Sequence, residues 1–112
     1  MNASTPSGPH IVIVAYKPKP GKEVELLELT REHVPLLREE GLATDRAVIA
    51  CQAADGTIVE VFEWAAGGVE KAHANARVGE LWRRYFAACD VVPLGALNEA
   101  GGMFASFVPV EL

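Results

Sequence analysis

Ala47-Val-Ile-Ala-Cys-Gln-Ala-Ala-Asp-Gly-Thr-Ile-Val-Glu-Val-Phe-Glu-Trp64 decides the fold. Its two ends are rich in β-branched and aromatic residues. Asp55-Gly56 between them supplies a residue free to take the left-handed backbone of a tight turn. The stretch predicts a hairpin, with one strand over 44–53 and another over 57–64. In the second strand Val59 and Val61 fall on one face and Phe62 and Trp64 on the other, so both faces carry apolar side chains.

Toward the N-terminus, His10-Ile-Val-Ile-Val-Ala-Tyr16 is β-branched on both faces and predicts a strand covered on both sides. Lys17-Pro-Lys-Pro-Gly-Lys22 stops that strand and turns into a helix over 23–40. There Leu26, Leu27, Val34 and Leu37 form the dry side, and Glu25, Glu28, Arg31, Glu32, Arg38 and Glu39 the wet one. Pro35 should bend or divide this helix, and Gly41 should end it. Beyond the hairpin, Gly67-Gly68 breaks the chain and residues 69–90 read as helix. The apolar face changes sides from Val69, Ala72 and Ala76 to Trp82, Tyr85, Phe86 and Cys89, so two pieces are expected with a break near 77–79. Residues 91–102 read as loop and 103–110 as the last strand, with Pro109 at a sheet margin.

The order β-α-β-β-α-β predicts an α+β chain of ferredoxin-like plan with an antiparallel sheet. Residues 1–9 read as a loose tail and 10–112 as one domain. Two helices cover only one face of such a sheet, yet both faces are apolar. A second copy laid against the bare face would complete the cover, so a homodimer through sheet faces with a barrel-like interface is expected.

Bulk properties narrow the function. The 112-residue chain is half apolar with net charge −5, which argues against a nucleic-acid or anionic-membrane partner. No apolar run is long enough to span a bilayer, and residues 1–9 lack the pattern of a signal peptide. Cys51 and Cys89 stand apart, with no CxxC or Cys/His cluster, and suit a reducing cytoplasm. The three histidines are too dispersed to suggest a metal triad, and there is no phosphate loop or GxSxG elbow.

Several short features carry a resemblance: the turn Pro18 to Lys22, the helix end Glu39-Glu40-Gly41, the strand end Val61-Phe62-Glu63-Trp64, and Ala72-His73. Together, in order over residues 10–110, they resemble antibiotic-biosynthesis-monooxygenase-like domains of the dimeric α/β-barrel superfamily. The resemblance implies back-to-back sheets in a homodimer, with a cavity between each sheet and its helices. Relatives include cofactor-free monooxygenases acting on aromatic phenols, haem-degrading proteins and isomerases of small sugar-like molecules. This chain departs in two places. Val78 and Gly79 stand where a second histidine is common, and Leu81-Trp-Arg-Arg-Tyr85 lacks the histidine that would hold haem iron.

His73 is then the expected proton acceptor, sharing a helical side with Val69, Ala72 and Ala76 and so pointing inward. Glu63, at a strand end, would orient it, or else cap a helix or pair with a basic residue. Phe62, Trp64, Trp82 and Tyr85 would hold a small apolar or aromatic ligand, or simply fill the core. His10 and Tyr16 share a face of the first strand and could line a cavity mouth, while His33 reads as surface. The expected activity is cofactor-independent monooxygenation of a small phenol, with neither metal nor cofactor. The alternatives are a non-catalytic binding or structural dimer module and, more remotely, an isomerase.

Overall fold

Residues 8–112 are described by a computed structural model, so the expected tail lies outside the described residues except for Gly8 and Pro9. Strand β1 (His10–Pro18) is followed by helix α1 (Glu23–Glu39), then the hairpin strands β2 (Ile49–Gln52) and β3 (Ile58–Trp64). Two helices come next, α2 (Gly68–His73) and α3 (Ala76–Ala88), and then β4 (Cys89–Val92) and β5 (Val108–Pro109). The result is an α+β protein with one five-stranded antiparallel sheet, in the order β4-β1-β3-β2-β5, and three α-helices. The first four positions of that order are compatible with a ferredoxin-like plan, to which β5 adds an edge.

Local chemistry explains most boundaries. In the hairpin, Gly56 takes φ +95° and donates to the Ala53 carbonyl, while Asp55 Oδ1 accepts the Thr57 N–H at 2.9 Å. Helix α1 ends on Gly41 at φ +74°, where the Gly41 and Leu42 N–H groups bond back to the Arg38 and Leu37 carbonyls. Pro35 neither divides nor ends α1. It lies on the exposed side, where water can serve the Arg31 carbonyl that the missing N–H leaves free.

Further sequence expectations are corrected. The first hairpin strand covers only Ile49–Gln52 of the expected 44–53, because residues 44–48 make no strand ladder with β3. The break in the second helical region comes at Ala74-Asn75, before 77–79, because Asn75 Oδ1 accepts the Val78 N–H at 3.0 Å and starts α3 afresh. The segment 91–102 is not all loop: Cys89–Val92 is the edge strand β4, paired with Ala15 to Pro18 of β1. It follows α3 with no turn residue between them, so nothing in the sequence punctuates the change. Of 103–110 only Val108–Pro109 is strand, bonded to Cys51 and Gln52 of β2.

Alternation in β3 turns Ile58, Glu60, Phe62 and Trp64 toward the helices and Val59, Val61 and Glu63 away. The helix-covered face packs against Leu26, Leu29, Val34 and Leu37 of α1 and Val78, Leu81 and Tyr85 of α3. On the other face the chain supplies part of its own cover, as Leu97 and Phe107 pack over Ala15, Ala53 and Val59. Ile11, Ile13 and Ile49 remain 54%, 49% and 60% exposed. No helix among the described residues is long and apolar enough to cross a membrane.

Candidate functional site

Between the sheet and α3 lies a cavity of about 170 Å³. Its dry walls include Val12, Val14, Phe62 and Trp64, and its polar atoms come from Tyr16, His33, Trp82 and Tyr85. Phe86 and Val91 also line it and are largely exposed, which marks where it opens.

The chemistry gathers around His33. It sits on the α1 side that carries Leu26, Leu29, Thr30 and Leu37, and only 3% of it is exposed. The expectation of a surface position is thus overturned: its charged neighbours Arg31 and Glu32 face water, and helical turn geometry carries His33 inward. Its Nδ1 lies 3.0 Å from Glu60 Oε1, and its Nε2 accepts the Trp82 indole N–H at 3.1 Å. Phe62 and Tyr85 meet the imidazole edge-on at 5.4 and 5.3 Å, so the ring is clamped.

The indole N–H can only donate, so Nε2 must carry the lone pair and Nδ1 the proton. That leaves a neutral imidazole donating to Glu60. Glu60 is 0% exposed at the middle of the sheet, paired in register with Val14 and Ala50. A carboxylate there is costly unless hydrogen-bonded, and Oε1 also accepts the Tyr16 hydroxyl at 2.9 Å. Its other oxygen, Oε2, has no hydrogen-bond partner among the described residues, and neither has the Tyr85 hydroxyl. Burial, and then the nearby Glu60 charge, pushes both the Tyr16 and the Tyr85 phenols well above their ordinary value. Both therefore remain neutral hydroxyls, and the two rings stack at 4.7 Å in the cavity wall.

Phe62, Trp64, Trp82 and Tyr85 all line this one space. His73 and Glu63 do not meet each other or the cavity. His73 is exposed at the end of α2, with its ring edge-on to Trp82 at 5.1 Å. Glu63 points to the opposite face of the sheet, where Thr44 Oγ1 donates to it at 2.8 Å and Arg46 pairs with it at 3.2 Å. The Thr44 bond first, then Arg46, lowers the Glu63 carboxyl below its usual value. His10, half-buried, shares the helix-side face with Tyr16 but is not part of the cavity wall.

His33 and Glu60 are the residues that sequence reasoning missed, and both had a signal. His33 lies seven residues after Leu26 and four before Leu37, on the dry side of α1. Glu60 alternates with Ile58 and Phe62, a charge in an inward register. Among the described residues, no group of three or more His, Cys, Asp or Glu side chains is placed to hold a metal ion. Compared with known proteins, the chain matches no family model and has no significant match to a curated protein or a solved structure.

Proposed function

We propose that the chain is a cofactor-independent oxygenase of small phenols, built as an antibiotic-biosynthesis-monooxygenase-like dimer, with His33 as its proton acceptor. The carrying observation is the His33–Glu60 pair: an imidazole of fixed tautomer, oriented by a buried carboxylate, on the wall of a largely apolar cavity. Glu60 would stabilise the imidazolium formed when a phenolic proton reaches Nε2. Desolvation among Phe62, Trp64 and Tyr85 would leave an electron-rich phenolate able to react directly with dioxygen. For a hydroquinone, one oxygen atom enters the ring and the other leaves as water, giving a hydroxyquinone. Dioxygen takes up the four electrons. An engineered dry cavity of about 150 Å³ accepts benzene, so the space here suits a single ring.

The homodimer belongs to the same proposal. By register Ile13, Val61 and Ile49 form one row across β1, β3 and β2, with Ile11 beside it, and this apolar surface is where the second sheet would lie. Two free cysteines, with Cys89 buried, support a reducing cytoplasmic setting.

Oxygen consumption by the purified protein with single-ring hydroquinones, without added metal or flavin, tests the activity. Uptake should fall by about 10²-fold or more in His33→Ala. Uptake equal to that variant's across the panel would remove the oxygenase. The existing Trp82–His33 bond favours a second reading, a non-catalytic binding module, because the imidazole is already satisfied without a ligand. That module would show ligand-dependent thermal stabilisation with no oxygen uptake.

A further inference from the structure

His33 Nε2 presents a single lone pair, and Trp82 occupies it. A ligand hydroxyl cannot donate to the same nitrogen while the indole does. Binding at the base and the Trp82–His33 bond therefore exclude one another. Trp82 is also a wall residue with room to yield. It is half-buried on α3, against the fully buried Val78 and the nearly buried Leu81 and Tyr85 of the same helix; one side packs on the core and the exposed His73 ring also meets it.

We propose that Trp82 keeps the ligand's place at His33 Nε2, so that the cavity selects molecules able to donate a hydrogen bond there: a phenolic hydroxyl rather than an ether or a hydrocarbon. This rests on the reading of His33 as the ligand's acceptor. The physical basis is an exchange. A phenol replaces one donor with another, so Nε2 is never left bare. An aryl ether of the same size can fill the cavity only with the indole still bonded, and it gains nothing from the imidazole. Trp82 acts through His33 and is a specificity-determining residue.

The placeholder has a consequence that a plain wall residue would not have. With Trp82 in place, phenol gains only the difference between two hydrogen bonds. In Trp82→Phe the aromatic surface is largely kept but Nε2 is unpaired in the empty protein. Only phenol then satisfies it, so the ratio of phenol to anisole affinity should rise by about two- to tenfold, the worth of one hydrogen bond. Calorimetric titration of wild type, Trp82→Phe and His33→Ala with phenol and with anisole measures this. In the wild type, nuclear magnetic resonance of the two indole N–H groups adds a readout that needs no variant to fold. Phenol should move the Trp82 signal toward that of a free indole, and anisole should leave it in place.

An unchanged or lowered affinity ratio in Trp82→Phe, or an indole signal moved equally by both ligands, overturns the placeholder role. If His33→Ala weakens phenol while either of those results holds, only the Trp82 assignment fails. Phenol affinity that is undiminished in His33→Ala, or no phenol binding to the wild type, overturns the acceptor reading together with it.

Discussion

On the helix-covered face, every second residue of β3 from Ile58 to Trp64 is buried, and one of them is a carboxylate. On the reverse of the same strands, Ile13 and Ile49 stand exposed on either side of Val61, and the nearest charge, Glu63, is held at the margin by Thr44 and Arg46. The dry face thus contains the polar chemistry, and the wetter face carries bare hydrocarbon. Composition alone would assign them the other way. A charge inside a core is stable only with partners in fixed positions, which also makes it useful. Isoleucines facing water need no partner to fold, only something to cover them.

The comparison can be broken most forcefully at Glu60. Glu60→Ala leaves the Tyr16 hydroxyl and the His33 Nδ1–H buried and unpaired, and should cost about 3–5 kcal/mol in urea unfolding. Glu60→Gln can still accept from Tyr16 and should cost clearly less. Equal losses would show that packing, not the carboxylate, holds this face.

Gly68 sharpens the same point with no charge involved. A Cβ there would stand 2.2 Å from the Leu42 carbonyl oxygen, so α2 could not approach Trp64 as it does. Gly68→Ala should destabilise by about 1–3 kcal/mol, and an unchanged thermal midpoint would contradict that close approach.

Alkaline pH should act next, on the helix-covered face through Cys89 and Tyr16. Burial first, and Asp90 second, raises the Cys89 thiol from 9.0 to about 11, and Tyr16 is raised in the same direction. The folded protein then holds protons that the unfolded chain releases, so stability is complete below pH 9 and declines as pH rises from about 9 toward 11. The urea midpoint should fall across that window, and Cys89→Ala should lose the lower part of the fall.

The smallest effect on the fold is expected on the open face. Ile13→Lys should leave the circular dichroism spectrum unchanged. It should reduce the mass by light scattering from about twice 12.0 kDa to that of one chain. A wild-type monomer at micromolar concentration would sink the dimer.

Much of this architecture is legible from periodicity. Both long strands, the Asp55-Gly56 turn and the body of α1 follow from local pattern, because each is settled by residues within a few positions of one another. The edge strand β4 is not, since Ala88 passes into Cys89 without a Gly, Pro or Asn to mark the change. Met103 to Ser106 read as strand by composition but pair with no strand among the described residues, and pairing is a non-local fact. The cavity's aromatic residues are legible as types, and the His33–Glu60 pair is not. Recognising it requires bringing His33 and Glu60 together across 27 positions, and an exposed His73 with more suggestive neighbours drew the assignment instead.

The direct passage of α3 into β4 has a mechanical consequence. The Lys19 N–H bonds to the Ala88 carbonyl at 2.9 Å, and the Lys19 ammonium to that of Phe86, so the joint is pinned to the end of β1. No spare residue gives it slack. Phe86 and Val91 lie on either side of this joint and frame the doorway. The roof cannot swing outward without tearing an edge strand from the sheet, so any widening of the cavity has to come from rotation of side chains, one ring at a time.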